Sequence, residues 1–230
     1  KGNLLIVESL ILDPDGDAGS LYMINICFAF KALGYHVTYI PANNFCYMRD
    51  KANNMGSRGI EVLAHPRIKS IHDLRNFQGN IPIAYQRNFD IVLIARPENL
   101  EAIDLVKDIY SNIKIFYYTH DLHYVRLART AKNELDSIKR RNLLKNSEDY
   151  RLREKEIIEK CDFIFHVSEE EEVIAQKLIS HRSSVLPPVS QIINSTTSKF
   201  KNRFQLLFLG NYNHMPNIDG IIWFIKEVFP

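Results

Sequence analysis

Two histidines and an aspartate lie close together in the segment Thr119-His120-Asp121-Leu122-His123. Imidazole and carboxylate groups can ligate a metal, cap the helix that follows, or orient a substrate in a polar active site. The chain has no HExxH pattern and no obvious third histidine to complete a metal site. The segment follows an apolar run of strand character, where an α/β sheet presents its ligands, so we favour an active-site role. Helix capping by one of the histidines is the main alternative.

A second polar segment, Asp13-Pro14-Asp15-Gly16-Asp17-Ala18-Gly19-Ser20, follows the first apolar run of the chain. Its alternating aspartates resemble the start of a calcium-binding loop. However, Ala18 stands where that loop needs glycine and Ile24 where it needs glutamate, so calcium binding is not expected. Ser20 is predicted to cap the helix that follows, which ends at Gly34.

Several common catalytic motifs are absent from the sequence. The first βα loop lacks GxGxxG, and neither GxxxxGK[ST] nor GxSxG occurs anywhere in the chain. These absences argue against a dinucleotide-dependent dehydrogenase, a P-loop NTPase and a hydrolase with a nucleophile elbow.

Seven short β-branched or aromatic runs alternate with helical patterns along the chain. Many of the runs are apolar throughout, which is typical of strands covered on both faces. The order predicts a Rossmann-like, doubly wound parallel α/β sheet. The predicted strands cover residues 4–8, 36–40, 61–64, 90–95, 114–119, 162–167 and 184–186.

Residues 122–160 form the longest helical pattern and are dense in charge. We interpret them as a solvated helix or helical hairpin. Their basic side chains leave contact with an anionic lipid surface as an alternative, although acidic residues interrupt the basic face.

The composition is that of an ordinary globular protein, with 46% hydrophobic and 24% charged residues and a net charge of +2. It excludes disorder and a nucleic-acid domain held by basic charge. The three widely spaced cysteines indicate neither disulfides nor zinc, and no run of ~18 apolar residues occurs. The chain also begins without methionine or a leader pattern, which we interpret as a trimmed start. We expect a cytoplasmic protein.

A polar stretch divides the chain near its end. We predict a domain over residues 1–190, a linker over 191–203, and over 204–230 the first strand–helix unit of a second, truncated Rossmann-like domain. One strand and one helix cannot bury their own apolar faces, so we expect the remainder of the second domain to follow, and residues 1–230 alone to be inactive.

Several of these segments together resemble a known family. They are Asp17-Ala18-Gly19-Ser20, Ala32-Leu33-Gly34-Tyr35-His36-Val37-Thr38, Arg96-Pro97-Glu98, Tyr118-Thr119-His120-Asp121-Leu122-His123, the stretch from Cys161 to Glu169, and the stretch from Leu207 to Asp219. In this order they resemble the GT-B fold glycosyltransferases, retaining family four, among members of bacterial surface-polysaccharide pathways such as lipopolysaccharide synthesis. The resemblance covers essentially the whole chain.

The resemblance implies an acceptor-side N-terminal domain that faces a donor-binding C-terminal domain. It implies that His120, Asp121 and Asp17 are catalytic, and that Arg96, His123, Ser168 and Glu169 lie on the acceptor side. For Ser168 we favour the alternative that it caps the following helix, which explains this residue without any ligand. The residues implied to bind the donor or its phosphate are Gly19, Ser20, Gly210, Asn211, Asn213, His214 and Asn217. The tail departs from many members, because it lacks the arginine and lysine that hold the donor diphosphate.

The function expected from this resemblance is transfer of a sugar from a nucleotide sugar to a saccharide or lipid-linked acceptor. We expect retention of configuration and no metal or other cofactor. Peripheral attachment to the inner face of the membrane is an open alternative. Two other functions stay open: a nucleotide-sugar epimerase on the same fold, and a non-catalytic binding module.

Overall fold

The computed structural model describes residues 2–42, 49–63, 88–110, 112–189, 204–212 and 215–229. Cys46 and Ala64, the linker predicted over residues 191–203, and the predicted donor residues Asn213 and His214 lie outside this set. The chain divides into two compact units, Lys1–Ser190 and Gln191–Pro230. The predicted domain boundaries stay a prediction.

The first unit contains a seven-stranded sheet in which every described pair of neighbouring strands is parallel. The strands lie in the order β3-β2-β1-β4-β5-β6-β7. They are β1 (Gly2–Glu8), β2 (Tyr35–Pro41), β3 (Glu61–Val62), β4 (Ile91–Ala95), β5 (Lys114–Tyr118), β6 (Phe163–His166) and β7 (Ser183–Val185). The α/β Rossmann-like fold predicted from the sequence is confirmed.

Six α-helices are described in this unit, and they cover both faces of the sheet. They are α1 (Ala18–Ala32), α2 (Arg49–Ser57), α3 (Leu100–Ile109), α4 (His123–Asn133), α5 (Ser137–Lys160) and α6 (Glu169–Leu178). A single 3-10 turn, Pro97–Asn99, joins β4 to α3.

The apolar strands have both faces buried, which explains why their sequences do not alternate. In β1, Leu5 and Val7 belong to one hydrophobic core, whereas Leu4 and Ile6 belong to the core on the opposite face. All four side chains are fully buried. Because successive side chains of a strand point to opposite faces, a continuous apolar run is what two covered faces require.

The long charged pattern forms a helical hairpin, one of the two forms predicted for it. Helices α4 and α5 pack against each other and are separated by residues 134–136. Asp136 caps α5, since its carboxylate accepts hydrogen bonds from the backbone N–H groups of Ile138 and Lys139. In the described part of the chain, no helix is long and apolar enough to cross a membrane.

The second unit contains one described α-helix, α7 (Met215–Trp223), which continues as a π-helix over Phe224–Val228. The strand of the strand–helix unit predicted over residues 204–230 is not observed, since its apolar run, residues 205–209, forms no strand in the structure. A strand requires a partner for its backbone groups, and no described residue supplies one to this segment. Phe204, Leu207 and Leu209 are about nine-tenths exposed, as expected for apolar residues without a covering layer.

Candidate functional site

The centre of the sheet brings together three charged residues that are distant in sequence. Glu8 ends β1, Arg96 directly follows β4, and His120 lies two residues beyond β5. β1 and β4 are neighbours, and from this pair the strand order runs outward in both directions. In such sheets the ligand-binding crevice lies at the carboxyl ends of the strands where the order reverses.

The Glu8 carboxylate accepts hydrogen bonds from both other residues. Arg96 Nε donates to Glu8 Oε1 at 2.5 Å, and His120 Nε2 lies 3.0 Å from Glu8 Oε2. The Glu8 side chain is only 4% exposed. Burial acts to raise the pKa of Glu8, but the hydrogen bond from His120 and the charge of Arg96 outweigh it, and the pKa is lowered. The carboxylate is therefore ionised at neutral pH.

Arg96 and His120 also share an unusual backbone conformation. Their φ angles are 68° and 57°, and among the described residues they are the two non-glycine residues with positive φ. Such a conformation costs about 1 kcal/mol or more at each position. Both strained residues place their side chains on the same carboxylate, so their contacts with Glu8 help to hold this conformation.

A cavity of about 540 Å³ lies beside Glu8, at the start of α1. Its described lining contains four carboxylates and two basic side chains, together with Ser9, Ser20 and a short apolar stretch. The charged residues are Glu8, Asp13, Asp17, Glu98, Lys51 and Arg96. His120 is not part of the lining and reaches the cavity only through Glu8.

Asp17 caps α1, so the prediction that Ser20 is the cap was wrong. Asp17 Oδ1 accepts a hydrogen bond from the backbone N–H of Ser20 at 2.8 Å, and Oδ2 accepts one from the Ser20 hydroxyl at 2.6 Å. The helix begins at Ala18, so Ser20 already lies in its first turn and cannot be the residue before it. The two oxygens of the aspartate bind both donors of Ser20 at once.

Gly19 lies where α1 meets Arg96. A Cβ atom built on this glycine would be 3.1 Å from Arg96 Nη2 and 3.1 Å from Asp17 Oδ1. The glycine therefore allows the guanidinium to approach the first turn of the helix. The phosphate-binding role expected for Gly19 and Ser20 stays a prediction.

Asp121 and His123 belong to a second charged cluster. Asp121 accepts a hydrogen bond from Arg126 Nε at 2.6 Å, and its Oδ1 lies 3.1 Å from His123 Nδ1. Burial acts to raise the pKa of Asp121, but His123 and Arg126 outweigh it and lower the pKa to about 2. Burial acts to lower the pKa of His123, but Asp121 and Glu98 outweigh it and raise the pKa.

Glu98 connects this cluster with the cavity. It lines the cavity, its Oε1 lies 3.5 Å from His123 Nε2, and it accepts a hydrogen bond from the Tyr150 hydroxyl at 3.0 Å. Of the residues predicted from the 119–123 segment, His120 is thus hydrogen-bonded to Glu8. Asp121 and His123 belong to the separate cluster next to Glu98 and do not line the cavity.

A buried carboxylate from α5 fixes the start of α4. Glu154 accepts hydrogen bonds from the backbone N–H groups of His123 at 2.9 Å and Tyr124 at 3.2 Å. Its side chain is fully buried, and this burial raises its pKa to about 7. The N–H groups at a helix start have no partner within the helix, and here a neighbouring helix supplies one.

The remaining predicted residues lie elsewhere. Ser168 is the N-cap of α6, where its hydroxyl accepts a hydrogen bond from Glu171 N at 3.3 Å, and Glu169 is the exposed first residue of that helix. In the second unit, Asn217 Nδ2 donates to Asn211 O at 3.0 Å, and a Cβ at Gly210 would approach the Asn217 amide. Their binding roles stay predictions.

Glu8 is the residue that the sequence interpretation missed. It was placed in the first strand, but no role was assigned to it. The available signal was a single carboxylate at the end of the apolar run Leu4-Leu5-Ile6-Val7. A charge there is costly to bury, so it needs partners.

The described residues offer no cluster for a metal ion. Among them, no three histidine, cysteine, aspartate or glutamate side chains are arranged to hold one. The expectation that the protein uses no metal stays a prediction.

Comparison with known proteins identifies the fold. No protein-family model and no curated protein matches the sequence. Among solved structures, sucrose-phosphate synthase from Thermosynechococcus elongatus matches 81% of this chain over 48% of its own length, with 16% identity and a TM-score of 0.52. UGT89C1 of Arabidopsis thaliana, solved in complex with UDP, matches 83% of this chain over 53% of its own length, with 12% identity and a TM-score of 0.50.

This chain spans about half the length of these two solved structures. Both belong to the GT-B glycosyltransferases, so the resemblance predicted from the sequence is confirmed for the fold. At such low identity the likeness concerns the fold alone.

Proposed function

We propose that this chain, which has the Rossmann-like fold of GT-B glycosyltransferases, takes part in the transfer of a sugar from a nucleotide sugar to a hydroxyl of a saccharide or lipid-linked acceptor. The observation that carries the proposal is the Glu8–Arg96–His120 cluster, whose central carboxylate is buried, beside a cavity of about 540 Å³ at the centre of the sheet. Glycosyl transfer requires an acceptor hydroxyl to be held in one orientation against the sugar. Fixed, mutually bonded charges beside a cavity suit that task.

The proposal assigns acceptor binding to the first unit. His120 acts there through Glu8, and Asp17 and Arg96 contribute to the walls of the cavity. The nucleotide sugar is assigned to Gly210, Asn211, Asn213, His214 and Asn217 on the strength of the sequence resemblance. Developing charge on the leaving diphosphate would be stabilised by the positive ends of helix dipoles.

Two finer statements rest on the resemblance and belong to the proposal. One is transfer with retention of the anomeric configuration, and the other is a role in bacterial surface-polysaccharide synthesis. The first is tested by the proton coupling constant at the anomeric carbon of the product, which distinguishes the retained from the inverted linkage. An inverted linkage contradicts it.

The activity is tested with the natural protein that carries this chain at its full length. Nucleotide sugars are supplied with and without saccharide acceptors, and the released nucleotide and the glycosylated product are both quantified. We expect product only when acceptor is present. Turnover of the nucleotide sugar to an isomer without acceptor would instead favour the epimerase, and binding without any turnover would favour the non-catalytic module.

A matched pair of histidine variants locates the activity. His120→Asn removes the group bonded to Glu8 and is expected to lower kcat at least about 100-fold. His36→Asn makes the same change at the amino-terminal end of β2, where the side chain is 44% exposed, and should leave kcat within about twofold of wild type. Equal effects of the two variants would contradict the placement of the site.

The turn between α4 and α5 has exposed apolar side chains, which favour an anionic lipid surface as a further partner. Leu135 is 98% exposed and Ile138 is 71% exposed. Between residues 132 and 145 the chain carries five basic and two acidic side chains. Exposed apolar residues among basic ones match the interface of a negatively charged bilayer. We include peripheral membrane binding through this turn in the proposal.

Vesicle co-sedimentation tests this contact. Binding to vesicles that contain phosphatidylglycerol should fall by at least about 30-fold in the double variant Arg140→Glu, Arg141→Glu, because loss of each basic residue costs about 1 kcal/mol and the added negative charges are repelled. The control, Lys177→Glu with Arg182→Glu, makes the same charge change at exposed positions away from the turn. The membrane contact is rejected by equal loss in both double variants, or by equal binding to vesicles of phosphatidylcholine alone.

A further inference from the structure

Glu8 is one of the residues that line the cavity, although its side chain is only 4% exposed. Oε1 already accepts hydrogen bonds from Arg96 Nε at 2.5 Å and from the backbone N–H of Ser9 at 2.8 Å. Oε2 accepts one described hydrogen bond, from His120. A carboxylate oxygen can accept two hydrogen bonds, so Oε2 keeps capacity for one further donor.

His120, unlike Glu8, is absent from the described lining of the cavity. Its side chain is 10% exposed, and its ring packs in a T-shaped arrangement with the Tyr118 ring, the ring centres being 4.8 Å apart. Because the Glu8 carboxylate only accepts hydrogen bonds, Nε2 must carry a proton. In the neutral imidazole, Nδ1 is then the unprotonated nitrogen.

The charge of the cavity decides the class of ligand. Its two described basic side chains are both paired with lining carboxylates: Arg96 with Glu8, and Lys51 Nζ with Asp13 at 2.5 Å. Asp17 and Glu98 add two more carboxylates. Asp17 also occupies the start of α1, the place where an anion would otherwise bind backbone N–H groups. A phosphate entering this space would meet excess negative charge.

We propose that Glu8 is the ligand-facing residue of this cavity, that Arg96 and His120 position its carboxylate, and that the cavity takes hydroxyl-bearing or cationic saccharide groups and excludes phosphate. Glu8 accepts the hydrogen bond of a ligand hydroxyl or ammonium group through Oε2. His120 is a positioning residue, which revises the expectation that it is catalytic. The exclusion of phosphate likewise revises the phosphate-binding role expected for Gly19 and Ser20, the second of which lines the cavity. The ligand class rests on the proposed function, whereas the arrangement of the three side chains stands without it.

The positioning of Glu8 is tested by the protonation of the His120 ring. In ¹⁵N-histidine-labelled full chain at pH 8, long-range ¹H–¹⁵N spectra should show the proton on Nε2 of wild-type His120. Glu8→Gln should move it to Nδ1. Arg96 can only donate, so the amide oxygen of the variant turns toward Arg96, and its NH₂ group then faces His120 and requires Nε2 to accept.

The wild-type spectrum needs no variant, so the test survives if Glu8→Gln does not fold. A proton on Nδ1 in the wild type overturns the assignment. So does an unchanged proton position in a folded Glu8→Gln protein. Movement of the proton as expected supports it, because the proton changes nitrogen only if the side chain at position 8 is hydrogen-bonded directly to Nε2.

The ligand class is tested by charged thiol reagents on the full chain. Ser9→Cys places a thiol in the lining, and Ser184→Cys makes the same change at an exposed control position on β7. The rate ratio of a cationic to an anionic methanethiosulfonate, followed for each peptide by mass spectrometry, should be about ten-fold higher at position 9. The excess should shrink when Glu8→Gln is added.

An equal or lower ratio at position 9 overturns the exclusion of phosphate. Neither measurement involves sugar transfer. If the ring and reagent results hold while no transfer is found, the proposed function fails alone. If transfer is found but the reagent ratio is not raised, the ligand class fails alone.

Discussion

Burial of the Glu154 carboxylate should make the stability of this protein fall as the pH rises from 5 to 8. Its pKa in the folded protein is about 7, against an ordinary value of 4.5. Because the folded state binds this proton more tightly than the unfolded state does, the stabilisation is complete below about pH 4.5. It is lost as the pH rises to about 7 and stays lost above that. A difference of about 2.5 pKa units corresponds to ~3 kcal/mol.

The substitution Glu154→Gln isolates this effect, because glutamine does not titrate. Its amide can accept from only one of the two backbone N–H groups that Glu154 binds, so at pH 5 the variant should be less stable than the wild type by about 1–3 kcal/mol. The informative quantity is the unfolding free energy of wild type minus that of the variant. From pH 5 to pH 8 this difference should fall by roughly 2.5 kcal/mol.

Urea unfolding followed by far-ultraviolet circular dichroism at four pH values measures this difference. Glu159→Gln, on an exposed part of the same helix, is the control and should follow the pH dependence of the wild type. A difference for Glu154→Gln that is flat, or that rises with pH, would refute the reasoning. It would mean that the carboxylate is solvated or fully compensated at the start of α4.

Two further predictions concern glycines and cysteines. Gly56→Ala should stabilise the protein by up to ~1 kcal/mol, because the glycine lies within α2 and a Cβ would meet nothing within 4 Å. Gly59→Ala should destabilise it by about 1 kcal/mol, since φ is +75° and the Cβ would press on Lys31. Chemical unfolding of both variants measures the two changes in stability. Changes of the same sign would contradict the stated causes. Cys27 and Cys161 should react with iodoacetamide only after denaturation, because burial raises the pKa of each thiol to about 12. Site-resolved mass spectrometry measures this, and fast labelling of either residue in the native protein would contradict it.

Most of the sheet could be predicted from the sequence. Six of the seven predicted strands agree with the observed strands to within one residue at the carboxyl end, and the seventh, over residues 61–64, is observed over Glu61–Val62, with Ala64 outside the described set. The signal was reliable because a strand with two covered faces must be apolar at every position. The same reasoning failed for residues 205–209, where an apolar run has no described partner strand.

Local contacts were predictable only where they depend on neighbouring residues. Ser168 was correctly recognised as a helix cap, because the capping hydroxyl and its N–H partner are three residues apart. At α1 the prediction that Ser20 is the cap was wrong, because the helix begins at Ala18 and Asp17 is the residue before it.

The sequence by itself determined the class of sheet, the ends of its strands and the likeness to a glycosyltransferase fold. Only the tertiary structure decided which of the strand-end residues meet. Glu8 is 88 residues from Arg96 and 112 residues from His120, yet both bind its carboxylate. The physical reason is that the order of strands in the sheet, and not the composition of any one strand, brings their ends together. A buried charge is then retained only where that order supplies its partners.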